Sequence, residues 1–452
     1  MIFEPKAGQS LIIDHIVQHD RSLIFADMGF GKTGATIFAI MKIKVFPVVI
    51  IAPPLVAKET WPSEIEKWDN INLKCICLNG TKEQIHKKIK ENAHIYTIDF
   101  ESAHHILGYK IPFMVVDESS RLKGFRTRQG SKRAKNIYKM ARKSSRFVGL
   151  TGTPIPNGYV DLWGQMFFVD HGLALGSSFR SYTNMFFTAK QVGKSQFAKK
   201  YILNYAQDKV IEHKIKDKVL TIRAQDYFDI DKPIFKNLAV KLNSKAHDEY
   251  VRMINQLWSE IEGVEILAKN AAVKSSKLLQ ITSGAIYDDD KNYHVLHDLK
   301  LDKLESIINE VNQPIIVVYH FKHEVERIRK RFKFAKVLSE DSNLIKEWNT
   351  GSVKLLLLHS QSAGHGLNLQ YGGNVMVFFT CWWNLEEHQQ VIERIGPMRQ
   401  KQAGFNRPVY IYRIVCDETI DLDVISRLEG KATIQDSFKK ALAKYATKGV
   451  VQ

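Results

Sequence analysis

Two segments of the chain carry residue types that can bind and attack a phosphate. The first, residues 26–33, reads ADMGFGKT. A phosphate-binding loop needs glycines that let backbone N–H groups turn towards the phosphates, a lysine that reaches the β- and γ-phosphates, and a hydroxyl for Mg²⁺. These groups are Gly29, Gly31, Lys32 and Thr33, while Ala26 stands where the general pattern begins with a glycine. The segment therefore predicts a site for ATP and Mg²⁺.

The second segment, FMVVDESS at residues 113–120, places two carboxylates about 85 residues after Lys32. Asp117 would hold Mg²⁺, and Glu118 would orient and deprotonate the attacking water, since both tasks need a carboxylate at the carboxyl end of a strand. On its own, such a pair could simply be a solvated cap of a buried strand. Together with the lysine loop, it predicts ATP hydrolysis.

The elements that must position these residues are strands and helices in alternation. Short β-branched runs separated by helical stretches predict parallel sheets covered by helices. The first set of predicted strands is Ser22–Ala26, Val48–Pro53, His94–Asp99, Phe113–Glu118 and Arg146–Thr151. The second set is Pro314–His320, Lys354–Ser360, Asn374–Thr380 and Val409–Val415. The pattern predicts an α/β fold of two parallel-sheet lobes in tandem.

The segment between the two sets differs in composition, being richer in helix-forming, aromatic and basic residues, as in His247–Ile261. We expect it to form a helical insertion and crossover between the lobes. The predicted division is therefore lobe one at 1–156, the extension and crossover at 157–300, lobe two at 301–430 and a basic C-terminal tail at 431–452.

The balance of charges indicates a polyanionic partner. Lys and Arg number 65 against 48 Asp and Glu, which gives a formal net charge of +17. Such a charge attracts nucleic acid, although a lysine-rich surface can also serve solubility alone. No apolar run approaches the roughly 20 residues that cross a bilayer, and the N-terminus lacks the pattern of a signal peptide. We therefore expect a cytoplasmic protein with no membrane partner.

The four cysteines match neither a zinc framework nor a redox C-x-x-C spacing. We interpret Cys75, Cys77, Cys381 and Cys416 as buried thiols.

Further segments resemble the superfamily 2 helicases and, within them, the SWI/SNF-type ATPases. FADMGFGKT at 25–33 looks like that group's phosphate loop, and DESSRLK at 117–123 resembles its D-E-A-H-R-L-K with Ser120 in place of the histidine. LTGTP at 150–154, followed by Asn157, resembles the motif that links hydrolysis to strand movement. SQSAGHGLNL at 360–369 is similar to the group's S-x-x-A-G-x-G-x-N-L.

The resemblance implies two RecA-like lobes, with ATP held on the first and arginine supplied by the second. It assigns nucleotide contacts to Gln9, Met28, Gly29, Phe30, Gly31, Lys32, Thr33, Gly34, Asp117 and Gly366. Catalytic roles follow for Lys32, Glu118 and Arg394. The family pattern Q-x-x-x-R-x-x-R, starting at Gln390, predicts a second arginine where this chain has Pro397, so Arg399 as its replacement is a hypothesis.

Nucleic-acid contacts are implied at the ends of strands in both lobes. The candidates are Lys58, Thr97, Lys123, His320, Phe321, Lys322, Ser360 and Gln361. We expect them to meet backbone phosphates, because a motor that steps along any sequence cannot depend on base edges. The segment Phe179–Asp231 lies between the shared motifs and is the expected location of substrate specificity.

The expected function is that of an ATP-dependent DNA helicase or translocase that remodels branched DNA, as stand-alone bacteriophage branch-migration helicases do. Its partners would be duplex, forked or branched DNA and other replication or recombination proteins. We expect a monomer, in the host-cell cytoplasm if it is encoded by a phage. The alternatives are a duplex translocase that separates no strands, an RNA helicase, and a nucleotide-switched clamp that binds without moving.

Overall fold

The computed structural model describes residues 2–128, 130–156, 158–191, 199–223, 226–227, 231–259, 268–338, 343–361 and 367–430. The described residues within Met1–Lys190 and Lys200–Asp229 form one compact unit, and those within Gln191–Lys199 and Ile230–Gln452 form a second. Asn157, Gly366 and the predicted tail at 431–452 lie outside the described residues.

Parallel strands dominate the first unit. The strands up to residue 222 are β1 (Arg21–Ala26), β2 (Val48–Ala52), β3 (Cys75–Cys77), β4 (Ile95–Asp99), β5 (Phe113–Asp117), β6 (Arg146–Thr151), β7 (Phe187–Gln191), β8 (Lys199–Leu203) and β9 (Val219–Ile222). The helices in this range are α1 (Ala7–Gln18), α2 (Lys32–Ile43), α3 (Trp61–Glu66), α4 (Lys82–Lys88), α5 (Lys132–Ala141), α6 (Leu162–Asp170), α7 (Phe179–Phe186) and α8 (Gln207–Ile215). A seven-stranded sheet has the order β3-β4-β2-β5-β6-β1-β9, with every neighbouring pair parallel.

The central strands are apolar along their whole length because helices cover both faces of a parallel sheet. Every residue of β2 is buried, as are the first four of β5. The five strands predicted for this lobe are confirmed to within one residue at either end. The carboxyl ends of β1, β6 and β5 lie side by side, which brings the phosphate loop and the acid pair to one edge of the sheet.

The second unit repeats this arrangement. Its strands are β10 (Ile234–Val240), β11 (Ala285–Tyr287), β12 (Tyr293–Val295), β13 (Ile315–Tyr319), β14 (Lys336–Val337), β15 (Leu355–His359), β16 (Val375–Phe378) and β17 (Tyr410–Cys416). Its helices are α9 (Ser244–Ser259), α10 (Ala268–Ser283), α11 (Leu299–Val311), α12 (Lys322–Arg331), α13 (Leu344–Asn349), α14 (Leu385–Ile392), α15 (Pro397–Gln402) and α16 (Ile420–Leu428). The main sheet is again parallel, in the order β10-β17-β16-β13-β15-β14.

The four strands predicted for the second lobe are confirmed to within two residues. The segment at 157–300 contains the expected helices but also contributes a strand to each sheet. β9 pairs with β1 in the first sheet, and β10 pairs with β17 in the second. These strands extend each sheet at one edge.

The cysteines are all free thiols. Cys381 and Cys416 are buried as expected, whereas Cys75 and Cys77 are only half-buried because both lie on the short edge strand β3. Among the described residues, no helix combines the length and apolar composition that a bilayer crossing requires.

Candidate active site and nucleic-acid interface

The phosphate loop connects β1 to α2 and has the backbone shape that its glycines permit. Gly29 and Gly31 have φ angles of +77° and +79°, values that residues other than glycine rarely adopt. Lys32 is the first residue of α2, so the N–H groups at the start of this helix face the loop. The Lys32 Nζ donates to the Ala26 carbonyl at 2.6 Å and to the Asp27 carbonyl at 3.0 Å. The ammonium is therefore held within the loop.

Gln9 on α1 lies directly against this loop. Its Oε1 accepts a hydrogen bond from the Lys6 N–H at 3.0 Å, which fixes the amide near the start of the helix. A Cβ at Gly31 would overlap the Gln9 amide nitrogen, and a Cβ at Gly8 would overlap the ring of Phe30. Two glycines thus allow α1 to pack on the phosphate loop. This contact places Gln9, which is predicted to contact the nucleotide, beside the predicted phosphate site.

The acid pair lies at the carboxyl end of β5. The Asp117 Oδ2 accepts from the Trp61 indole N–H at 2.9 Å, and its Oδ1 accepts from the Glu118 N–H at 3.1 Å. Burial raises the pKa of the Asp117 carboxyl, which the Trp61 hydrogen bond and the charge of Lys32 partly oppose. Glu118 has a φ of +62° and a ψ of +56°, a costly left-handed conformation for a residue with a side chain. The strand therefore ends at Asp117, and Glu118 begins the turn that follows it.

Thr151, the last residue of β6, joins the acid pair to the next segment. Its hydroxyl donates to the Glu118 Oε2 at 3.2 Å and accepts from the Thr153 N–H at 3.1 Å. A Cβ at Gly152 would come within 2.7 Å of the Met28 Cγ, so the TGTP segment also packs on the phosphate loop. Since β6 lies between β5 and β1, this segment is placed between the two halves of the site.

A buried glutamine on α6, which the sequence did not single out, reinforces this connection. The Ser119 hydroxyl donates to the Gln165 Oε1 at 3.0 Å, and the Gln165 amide donates to the Pro154 carbonyl at 2.6 Å. Gln165 is fully buried. Its amide therefore links the residue that follows the acid pair to the end of the TGTP segment.

The residues present fit a nucleotide-bound Mg²⁺. Mg²⁺ is usually held by one or two protein oxygens together with water and substrate phosphates, not by an all-protein cage. Asp117 offers a carboxylate, and Thr33 offers a half-buried hydroxyl one residue into α2. No group of three or more His, Cys, Asp or Glu side chains that could hold a metal ion occurs among the described residues.

The predicted arginines lie on and beside α14 and α15 of the second unit. α14 ends at Ile392 and a new helix begins at Pro397, so the expected position of a second arginine is the first residue of α15. Proline suits that position because it needs no N–H there. The buried Arg394 donates from Nε to the Gln390 carbonyl at 3.1 Å. Arg399 donates from Nη1 to the Leu367 carbonyl at 3.1 Å and to the Asn368 Oδ1 at 2.5 Å.

The nucleic-acid candidates of the second unit gather at the carboxyl ends of β13 and β15, which are adjacent strands. The His320 Nδ1 lies 3.0 Å from the Ser360 Oγ, and the His320 ring stacks on Trp382 with 5.6 Å between ring centroids. Phe321 and Ser360 are buried. Lys322, the first residue of α12, and Gln361 are exposed and therefore available to a phosphate.

Glu324, which no sequence motif predicts as a site residue, organises this edge. This fully buried carboxylate accepts from the His320 N–H at 2.7 Å, the Phe321 N–H at 3.0 Å and the Thr380 hydroxyl at 2.6 Å. Burial raises its pKa, opposed by these hydrogen bonds. It ties the ends of β13 and β16 together behind the exposed residues.

The candidates of the first unit differ in accessibility. Lys58 is exposed, with its Nζ 3.2 Å from the Glu59 carboxylate, and Lys123 is half-buried. Thr97 is fully buried, and its hydroxyl donates to the Ala57 carbonyl at 2.6 Å. Its side chain supports the loop after β2 from beneath, so the Thr97 hydroxyl is not exposed to a DNA phosphate.

Two models of known protein families together match most of the chain. The model of the SNF2-related domain matches residues 11–282, and that of the helicase conserved C-terminal domain matches residues 299–398. The chain belongs to the SNF2-related family. The boundary between the two matches falls just before α11.

This SNF2-related chain is 43% identical to protein p41 of Acyrthosiphon pisum secondary endosymbiont phage 1, over 97% of this chain and 99% of the relative. It is 25% identical to the ATP-dependent helicase MG018 of Mycoplasma genitalium over 88% of this chain, which spans only 38% of that longer protein. Among solved structures, it resembles the Hef helicase domain of Pyrococcus furiosus with a TM-score of 0.53 at 14% identity, covering 92% of this chain and 96% of that domain. The predicted two-lobed RecA-like fold is therefore confirmed.

Proposed function

We propose that this SNF2-related protein is a DNA-dependent ATPase that moves along DNA and remodels forked or branched molecules. The observation that carries the proposal is the meeting of Lys32, Asp117 and Glu118 at one edge of the first sheet, with Thr151 bonded to the Glu118 carboxylate. That arrangement supplies a phosphate ligand, a metal ligand and a base within one site.

Each residue then has one task. The N–H groups of the glycine loop and the Lys32 ammonium bind the β- and γ-phosphates, and Gln9 contacts the adenine. Thr33 and Asp117 would hold Mg²⁺, which would neutralise the charge that develops on the phosphates during transfer. Glu118 accepts a proton from the attacking water, and Thr151 keeps its carboxylate oriented. Arg394 stabilises the charge that develops on the γ-phosphate during transfer, and Arg399 replaces the second arginine absent at Pro397.

The charge of the chain favours DNA as the polymer along which the protein moves. The net charge of +17 and the exposed Lys58, Lys322 and Gln361 suit a phosphate backbone. The SWI/SNF-type motifs favour duplex DNA over RNA, and the similarity to a phage protein agrees with a role in the DNA metabolism of a phage in its host's cytoplasm. Branched DNA is the favoured form because the sequence resembles branch-migration helicases. We propose that the protein acts as a monomer.

ATPase rates with different nucleic acids test this function. The wild type is expected to hydrolyse ATP faster with duplex, forked and four-way DNA than without, and to move the branch point of a four-way junction. Equal stimulation by plain duplex with no strand exchange would indicate a translocase instead. Stimulation by RNA alone would indicate an RNA helicase, and ATP-dependent binding without displacement of a triplex-forming strand would indicate a clamp.

Two variants connect the assay to the proposed site. Lys32→Ala should abolish ATP binding, because the phosphates lose their cation. Glu118→Gln should retain ATP binding while turnover falls at least about a hundredfold, because the amide cannot accept a proton. Normal turnover by Glu118→Gln would contradict the assignment of the base.

A further inference from the structure

A two-stranded ribbon, β7 with β8, leaves the first unit within the segment that the family motifs do not account for. The backbone N–H of Asn204 donates to the Phe186 carbonyl at 3.0 Å, which closes the base of the ribbon. The Thr188 hydroxyl donates to the Asn204 Oδ1 at 2.7 Å on one side of this base. The end of β8 therefore meets the start of β7, and the two strands run antiparallel.

One face of the ribbon is anchored in the core. Phe187 is buried, and its ring lies 5.2 Å from that of Tyr182 and 6.4 Å from that of Tyr201. Tyr201 also meets the Phe179 ring at 5.6 Å, and the Arg126 guanidinium lies 3.4 Å from the centroid of Phe179. The aromatic contacts fix which face of the ribbon points inwards.

The opposite face, here called the ribbon face, carries Thr188, Lys190, Lys200 and Ile202, all exposed. The bond at the base and the equal lengths of the two strands place Lys190 opposite Lys200. Like charges in directly opposed positions destabilise a strand pair. In the described part of the chain, neither lysine has a carboxylate partner. An anion bound between the two ammonium groups would remove this repulsion.

A tyrosine is displayed at the foot of the same ribbon. Tyr205 is 99% exposed and lies in a turn closed by the Gln207 N–H and the Asn204 carbonyl at 3.2 Å. Its neighbour Ala206 has a φ of +58°, so the turn is tightly bent. An aromatic ring held in this way has one face available for stacking. Five residues of extended chain place it within roughly 17 Å of Lys200.

We propose that the ribbon face and Tyr205 bind DNA where a duplex opens. Base faces are free for stacking on a tyrosine only where base pairing ends, and a base stacked on Tyr205 brings the adjoining backbone phosphates to the ribbon lysines. The combination therefore favours forks and junctions over intact duplex. This inference rests on the proposed function and gives the ribbon the task of recognising the branch.

The test compares Lys190→Glu/Lys200→Glu with Lys87→Glu/Lys90→Glu as a matched control. Lys87 and Lys90 are also exposed, but they lie outside the ribbon, between β3 and β4, the first two strands in the order of the seven-stranded sheet. The ribbon variant should raise the forked-DNA concentration that half-saturates the ATPase by about tenfold, through loss of about two phosphate contacts. Basal ATPase and half-saturation by plain duplex should stay within about twofold. The control variant should match the wild type on every DNA.

Salt dependence and Tyr205 supply independent readouts. For Lys190→Ala/Lys200→Ala, the slope of log affinity for the fork against log salt should become shallower by about 2. Tyr205→Ala should weaken fork binding about threefold to tenfold, and Tyr205→Phe should not, because phenylalanine also stacks.

Equal weakening for fork and duplex would overturn branch recognition. Wild-type binding by all ribbon variants would show that the lysines only protect the ribbon edges from pairing. A wild type that no DNA stimulates would contradict the proposed function itself.

Discussion

The hydroxyl of Thr151 and the carboxylate of Glu118 are joined by a hydrogen bond of 3.2 Å between Oγ1 and Oε2. The same hydroxyl accepts from the Thr153 N–H at 3.1 Å. A movement of the TGTP segment would therefore shift the carboxylate of Glu118, the proposed base. Because β6 separates β5 from β1, Thr151 is also the last strand residue between the acid pair and the phosphate loop.

Replacing this hydroxyl should reduce turnover without weakening nucleotide binding. Thr151→Val keeps the volume of the buried side chain but cannot orient Glu118, so kcat should fall by about tenfold to a hundredfold. The KM for ATP should stay within about twofold, since no phosphate ligand is lost. Thr151→Ser, which keeps the hydroxyl, should recover most of kcat. An unchanged kcat in Thr151→Val would show that Glu118 is oriented by its other contacts.

The two arginines of the second unit predict effects of different size. Arg394→Ala should lower kcat by at least about a thousandfold, because a guanidinium that meets the γ-phosphate stabilises charge that appears during transfer. Arg399→Ala should lower kcat by only about tenfold. Its effect is smaller because the Arg399 guanidinium also donates to the Leu367 carbonyl and the Asn368 side-chain oxygen.

Steady-state ATPase rates measure both effects, and thermal melting controls for folding because Arg394 is buried. Normal turnover in Arg399→Ala, together with complete loss in Arg394→Ala, would contradict the idea that Arg399 replaces the missing second arginine.

The sequence predicted the parts of the fold that follow from local pattern. The central strands β2 and β5 are continuous apolar runs, and such runs identify buried parallel strands directly. β9 and β10 were not predicted because their strand character depends on pairing with β1 and β17, which the local sequence does not reveal. β10 is largely exposed, so it lacks the apolar run that marked its neighbours.

The site was predictable where a residue's chemical type determines its role. Lys32, Asp117 and Glu118 were found by type and spacing, and they lie at one edge of the sheet as expected. Trp61, Gln165 and Glu324 were missed because each acts through a partner distant in sequence. The Trp61 indole reaches Asp117 across 56 residues, and Glu324 reaches Thr380 across the same number. Only the folded chain shows such pairs.

A buried ion pair in the second unit predicts a large effect on stability. The Lys300 Nζ lies 2.7 Å from the Asp421 Oδ2, and both side chains are almost fully buried. The Thr282 hydroxyl and the Cys416 N–H also donate to this carboxylate, at 2.7 Å and 2.9 Å. Lys300→Met leaves the Asp421 charge without a cation and should reduce the free energy of unfolding by about 3–5 kcal/mol.

The double variant Lys300→Met/Asp421→Asn separates charge from packing. Asparagine removes the uncompensated charge and can still accept from Thr282, so the double variant should be more stable than Lys300→Met alone. Denaturant unfolding monitored by tryptophan fluorescence measures the difference. A double variant less stable than the single one would show that the Asp421 charge is stabilised chiefly by its neutral donors.

The pH dependence of stability should reveal a buried histidine in the same unit. Burial, and then the charge of Arg413, lower the pKa of His388 from 6.5 to about 3. Its Nε2 accepts from Arg413 at 3.3 Å, and its ring lies 4.3 Å from that of Phe378. The folded protein therefore keeps His388 neutral, while the unfolded chain takes up a proton below about pH 6.5. The contribution of His388 to the free energy of unfolding is therefore fully present above about pH 6.5 and falls as the pH drops towards 3.

At pH 5 this loss should amount to roughly 2 kcal/mol, since each pH unit below 6.5 costs about 1.4 kcal/mol for one such group. His388→Gln, which can accept from Arg413 but does not titrate, should lose less thermal stability than the wild type between pH 7.5 and pH 5. His213→Gln, at an exposed position on α8, serves as the control and should follow the wild type. If His388→Gln and the wild type lose the same stability over this range, His388 does not contribute to the acid sensitivity and the prediction is wrong, because other buried histidines such as His297 and His323 titrate equally in both proteins.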